Sequence, residues 1–249
     1  MLFRSRMTDD GIATIWVYLS TTPLLGLTIT LVAYGIAYRA YLWSGSNPLL
    51  HPVVSAVTLL ILFLVGTDTP YEAYFAGGQF VHFLLGPATV ALAIPLYQQL
   101  PKIRRLWLPV LITLVSGVTI GALSSVALAR LFGATLQTQM SLAPKSVTAP
   151  VAMGISEQIG GLPSLTAVMV VATGILGAVL ETRLFALLRI RDDSIKGIAM
   201  GITAHGIGTA RAFQVSPEMG AFSGLAMALS TFTTALILPW LLQWLGWLG

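Results

Sequence analysis

The chain has 249 residues, 56% of them hydrophobic and only 9% charged, with a net charge of +4. Soluble domains carry about 25% charged residues, so this composition speaks against a water-soluble globular protein, and the absence of cysteine excludes disulfides and thiolate chemistry. The basic balance is no sign of nucleic-acid binding, because the cations are not clustered with exposed aromatics and cytoplasmic loops of membrane proteins are themselves rich in Lys and Arg.

Residues 1–11 read as a polar tail. The run Ile12–Tyr38 is long enough to span a bilayer, which takes roughly 20 helical residues. It is too long for a signal-peptide core and lacks a small-residue cleavage site. Arg39–Asn47 is expected to be a loop, closed by the turn signal Asn47-Pro48. Leu49–Gly66 is the second span. Thr67–Gly78 follows as a loop whose Tyr71, Tyr74 and Phe75 suit the headgroup level. Gln79–Leu100 is the third span, Pro101–Arg105 a tight basic loop, Leu106–Arg130 the fourth span and Leu131–Leu142 a polar-leaning loop.

The next stretch, Ala143–Pro163, reads APKSVTAPVAMGISEQIGGLP. It is apolar overall yet holds Lys145, Glu157 and the helix-breaking Pro144, Pro150, Gly160 and Gly161. Prolines remove helix hydrogen bonds, and freed backbone groups survive at membrane depth only when buried in protein or lining a wet cavity. Ser164–Leu188 is a further span and Arg189–Lys196 a charged loop. Gly197–Glu218 (GIAMGITAHGIGTARAFQVSPE) repeats the character of the first stretch, with His205, Arg211 and the breakers Gly206 and Gly208. Met219–Trp247 is the last span.

Charge sets the parity. Lys102/Arg104/Arg105 and Arg189/Arg191/Lys196 should both be cytoplasmic. Two good spans lie between them, so Ala143–Pro163 must begin and end on the outer side. At roughly 20 residues it is too short to cross twice, which predicts a re-entrant hairpin or pair of half-helices. Gly197–Glu218 is then re-entrant from the cytoplasmic side. Internal similarity points the same way: AMGISEQIG at Ala152–Gly160 resembles AMGITAHGIG at Ala199–Gly208, and Pro87–Phe132 aligns with Pro144–Arg189 at a fixed offset. The expected fold is an all-α integral membrane protein with about six full spans, two broken or re-entrant elements and inverted repeats. It forms one polytopic domain over residues 1–249, with N-terminal spans in 12–142 and the broken elements, each followed by a span, in 143–247.

Broken elements of such transporters meet near the midplane and form the site, and ionisable residues there are functional candidates. Lys145 either meets a substrate anion at a half-helix N-terminus or snorkels or pairs with Glu157. Ser146 and Thr148 are able to donate to the same anion or simply to pack between helices. Thr203 and Thr209 flank His205 as further hydroxyls, and Arg211 offers bidentate carboxylate recognition or a positive-inside anchor. Glu157 and His205 are the proton-coupling candidates. Glu181 and Arg183 read as near-interface structure. No phosphate loop, metal cluster or nucleophile elbow is present, so no enzyme, metal or cofactor is expected.

The runs PKSVTAPVAMGISEQIGGLPSLTAV, ATGILGAVL, GITAHGIGTARAF and EMGAFSGLAMAL, with NPLL and PATVALAIPLYQQL upstream, resemble the LrgB/CidB family. The resemblance covers nearly the whole chain after about residue 40. It implies a multi-pass protein of the bacterial inner membrane, homo-oligomeric and working beside a small LrgA/CidA-type partner. The family takes its name from holin/antiholin-like modulators of murein hydrolase activity and autolysis, and it also includes the plastid glycolate/glycerate translocator and bacterial members tied to pyruvate uptake. Two functions stay open: a carrier of small organic anions such as pyruvate, lactate or glycolate, or an antiholin-like assembly. No polar stripe long enough to line a wide hole is visible, which places the carrier first.

Overall fold

The computed structural model describes residues 23–45, 50–84, 87, 90–91 and 93–247, apart from the side chains of Pro23 and His82. All regular structure among these residues is helical. The chain divides into two compact units, residues 1–91 and 92–249.

In the first unit, α1 (Pro23–Trp43) packs on α2 (Pro52–Gly66) and α3 (Tyr71–Phe83). Gly26 lets α1 approach α3 closely, since a Cβ there would stand 2.2 Å from the Tyr74 carbonyl oxygen, and the Thr30 and Tyr74 hydroxyls meet at 2.9 Å. Two expectations are corrected here. The loop drawn at Arg39–Asn47 is helix as far as Trp43, and the loop drawn at Thr67–Gly78 contains most of α3. Tyr71, Tyr74 and Phe75 recur at helical spacing, the Tyr71 ring stacking on Phe75 and tilting against Tyr74, so the aromatic cluster is one face of a helix. The part of the first span before Pro23 lies outside the described residues.

The second unit holds α4 (Ala93–Gln98), α5 (Leu100–Leu131), α6 (Leu136–Leu142), α7 (Ala149–Gln158), α8 (Pro163–Leu187), α9 (Asp193–Val215) and α10 (Pro217–Trp244). The basic segment Pro101–Arg105, expected as a loop, is the first turn and a half of α5. Proline is tolerated at a helix start, and Lys and Arg are good helix formers. A 32-residue helix is about 48 Å long against a hydrocarbon core of about 30 Å, so its charged end projects beyond the core. Among the described residues four helices, α1, α5, α8 and α10, are long and apolar enough to cross a membrane, and α2 is a shorter apolar one.

The order of packing along α5 separates the two ends of this unit. Its first half, through Val110, Leu114 and Val118, packs on Ile198 and Ile202 of α9 and on Phe222 and Ala226 of α10. Its second half, through Ala122 and Val126, packs on Met140, Ala143, Ile155 and Ile159, and on Leu238 and Leu242 at the other end of α10. Ion pairs close the first end: Lys102 Nζ lies 3.3 Å from Asp192 and 2.6 Å from Glu218, and Lys196 lies 2.7 Å from Asp193. The two basic segments therefore share one end. Because the chain has no cysteine, single-cysteine variants test this cleanly. Arg105→Cys and Arg191→Cys should react with an impermeant thiol reagent from the same side of sealed vesicles, and Gln137→Cys from the opposite side.

Asp192 caps α9 by accepting from the Ser194 N–H at 2.8 Å and from the Ser194 hydroxyl. That hydroxyl first, then the Ser194 N–H and the Lys102 ammonium, hold its carboxyl down at about 2. A carboxyl lowered on folding contributes fully above the ordinary value of about 3.9 and loses the contribution as pH falls toward 2. The thermal midpoint should fall from pH 4 to pH 2, less steeply in Asp192→Asn. The difference is small, because the side chain is 46% exposed and solvent screens it.

Candidate functional site

Both interrupted stretches are hairpins. In the first, α6 enters, residues 143–148 form the tip and α7 returns. Its two limbs meet at their base: the Leu162 N–H donates to Ser141 Oγ at 2.8 Å, and the Thr166 hydroxyl lies 2.9 Å from the Ser141 carbonyl and 2.7 Å from Ser156 Oγ. A Cβ on Gly161 would stand 2.4 Å from Ser156 Oγ and 2.8 Å from the Ser141 nitrogen, so only glycine fits this crossing. Pro150 lies in the opening turn of α7 behind Thr148, which stands at the N-cap position without bonding through its side chain. At ten residues α7 is about 15 Å long, half a bilayer core.

In the second hairpin the chain reverses inside α9. His205 takes φ 41° and ψ −132°, a backbone region costly for any residue but glycine. The arm 193–204 lays Gly197 against Met219, Phe222 and Ser223, and Gly201 against Ser223, Ala226 and Met227. The arm 206–215 runs back along the same helix: Thr209 Oγ1 lies 2.9 Å from Ser223 Oγ and Phe213 lies on Gly220. Gly208 packs on Met200 and Ala204 of the opposite arm. The Ser216 hydroxyl donates to Asp193 Oδ2 at 2.8 Å, which joins the beginning and the end of the element at the basic end. The break falls on His205 itself. Gly206 beside it is exposed, while Gly208 serves the packing of the two arms.

The hairpins thus enter from opposite ends, and their tips converge on the middle of α8. His205 Nε2 lies 2.9 Å from the Val170 carbonyl; a carbonyl only accepts, so Nε2 carries the proton. Val170 also packs on Val147 of the first tip. A small cavity of about 10 Å³, the size of one water site, is lined by Pro144, Ser146 and Val147 of the first tip, Ile202 of the arm 193–204, Gly117 and Gly121 of α5 and Thr234 of α10. At the mouth of the first tip, half-buried Lys145 donates to Ser146 Oγ at 3.2 Å.

The other candidates lie elsewhere. Arg211 donates to Gln214 at 2.9 Å and, with Lys196, lines a separate crevice of about 360 Å³ bounded by Phe185, Ile190, Val215 and Met219. The structure does not bring it together with Lys145. Glu157 is exposed on α7. Thr209, buried, donates to the His205 carbonyl at 2.8 Å and so fixes the turn of the hairpin. Glu181 was expected near the interface; it lies on the face of α8 that Gly174, Gly177 and Ala178 share. A Cβ on Gly174 or Gly177 would collide with His205 or Ala204, so that face receives the second hairpin. Glu181 Oε1 meets the Thr203 hydroxyl. The spacing 174, 177, 181 in ATGILGAVLE is the signal that would have found it.

A helical unit in which two hairpins meet between three long, apolar helices is the class that fold and site define, and the chain is a multi-pass membrane protein. It belongs to the LrgB-like family, whose sequence profile matches residues 30–244. It is 35% identical to the uncharacterized protein YwbG of Bacillus subtilis (strain 168) over 89% of this chain and 98% of that one. It is 29% identical to the antiholin-like protein LrgB of Bacillus cereus (strain B4264), and equally to a Bacillus anthracis protein (strain CDC 684 / NRRL 3495) of the same name, over 90% of this chain and 98% of each. No solved structure matches it.

Proposed function

We propose that the chain is a secondary carrier of small organic anions, working by alternating access in the bacterial inner membrane with its basic end in the cytoplasm. The observation that carries this reading is the meeting of two hairpins, entered from opposite ends, at one small cavity. Opening either tip would connect the cavity to one side at a time, which is what alternating access requires. The first tip brings Lys145, the Ser146 hydroxyl and the N-terminal end of α7, all favourable to an anion; the second brings His205. The cavity is smaller than a three-carbon acid, so a substrate would enter only after one of the tips moves. Short monocarboxylates of the pyruvate, lactate and glycolate kind are the substrates that the family resemblance implies. Opposed insertion of the hairpins also supports inverted repeats. About six full spans, homo-oligomeric assembly and a small LrgA/CidA-type partner belong to the same proposal.

The second reading is an antiholin-like modulator of murein hydrolase export and autolysis that acts by membrane assembly. The names of the relatives favour it over the carrier. One experiment separates the two: uptake of labelled pyruvate, lactate and glycolate by proteoliposomes holding the chain alone, with and without a proton gradient, beside release of a larger entrapped dye. Saturable uptake without dye release supports the carrier. Dye release, or no flux at all, supports the assembly reading.

A further inference from the structure

Glu181 stands inside a membrane-crossing helix with an unusual hydrogen-bond deficit. Its Oε2 is buried and has no hydrogen-bond partner among the described residues. Its Oε1 meets only the hydroxyl of Thr203, two residues before the break at His205. That hydroxyl also lies 2.8 Å from the Ala199 carbonyl, and a hydroxyl has one proton to give. If Glu181 is ionised, Thr203 must choose between two acceptors, and a buried charged oxygen keeps no donor, a costly arrangement. If Glu181 is a neutral acid, its own O–H donates to Thr203, Thr203 donates to Ala199, and the remaining oxygen is an uncharged carbonyl. The contacts of this conformation fit the neutral acid.

Among the described residues no cation hydrogen-bonds this oxygen. Lys196 bonds Asp193, Arg211 bonds Gln214, Lys145 bonds Ser146 and His205 bonds the Val170 carbonyl. Arg183, two residues along α8, does not share a helix face with Glu181. Glu157, on the other hairpin, is exposed.

We propose that Glu181 is a proton-binding carboxyl of this chain, and that the bound proton fastens the second hairpin to α8 through Thr203. A proton taken from one aqueous phase forms the O–H bond and docks the arm 193–204. Its release to water leaves a carboxylate that must be hydrated, and the arm loosens. Proton binding does not depend on what the protein transports; its use as the coupling step rests on the carrier reading.

The test is infrared difference spectroscopy of the full chain in lipid nanodiscs, titrated between about pH 4 and 9, with hydrogen exchange measured alongside. A carboxylic-acid carbonyl stretch should titrate in the wild type, vanish in Glu181→Gln and persist in Glu157→Gln. Thr203→Val should keep the band but shift its midpoint. Amides of residues 199–205 should exchange roughly two- to tenfold faster above the midpoint, the scale of one lost hydrogen bond, and should show no such step in Glu181→Gln. A carboxyl that stays ionised or stays neutral throughout overturns the proposal, as does exchange that ignores the midpoint. Both readouts are independent of flux, so a protein that binds the proton but moves no anion would count against the carrier reading alone.

Discussion

Lys145→Gln should weaken binding of a short monocarboxylate by roughly thirtyfold to several-thousandfold, because removing a desolvated charge partner costs about 2–5 kcal/mol. The side chain is half-buried at the tip of the first hairpin, its ammonium held by Ser146, which lines the small cavity. An anion placed there would exchange water for this ammonium and the end of α7. Arg211→Gln is the contrast. Its guanidinium lines the crevice at the base of the second hairpin and engages Gln214, so its loss should change affinity by no more than about fivefold, the scale of a solvated ion pair. Binding of labelled pyruvate to protein in nanodiscs measures both. Wild-type affinity in Lys145→Gln would remove the anion site from this tip.

Gly201→Val should cost stability at the upper end of the roughly 1–3 kcal/mol of overpacked cores, or beyond it. A Cβ at Gly201 would stand 2.2 Å from the Ser223 carbonyl oxygen, 2.9 Å from Ala226 Cβ and 3.0 Å from the Met227 nitrogen. Two of these three are backbone atoms of α10 and cannot swing aside, so the arm must lift. The expected result is a large drop in thermal midpoint and loss of monodisperse protein. Gly154→Ala is the control: an exposed helical glycine with nothing within 4 Å of its added Cβ, it should be neutral or gain up to about 1 kcal/mol from reduced chain entropy. If both variants behave alike, the close approach of α9 and α10 is wrong.

The two hairpins were legible because Lys145, Pro144, Pro150 and the glycines are costly inside a plain spanning helix, and because basic segments 101–105 and 189–196 fix the parity of what lies between them. What escaped was set by tertiary contact. Tyr71–Gly78 was read as loop because its aromatics match an interfacial belt as well as a helix face. The charged start of α5 was read as loop because sequence does not show how far a helix outruns the bilayer. The break in α9 was placed on glycines, yet it falls on His205, whose costly backbone is held by the bond from its ring to Val170 and by the Thr209 hydroxyl on its carbonyl. The contact of Glu181 with Thr203 was missed because charge was counted along the chain while the glycine stripe beneath it was not followed. Lys145 and Arg211 were both offered to one anion on charge alone, and only the fold shows that Lys145 sits at the first tip against Ser146 while Arg211 lines a crevice of its own.

The intimate contacts of the second hairpin bear on how the chain is made. One arm rests Gly197 and Gly201, and the other Thr209 and Phe213, on residues 219–227, which leave the ribosome after the hairpin does. Until that segment arrives, the arms have no surface to settle on and Asp193 has no Ser216 to tie to. The hairpin is therefore a late event in biogenesis, held near the membrane surface while α10 is still being synthesised, and nascent chains arrested before that helix is inserted should remain open to protease at residues 193–215.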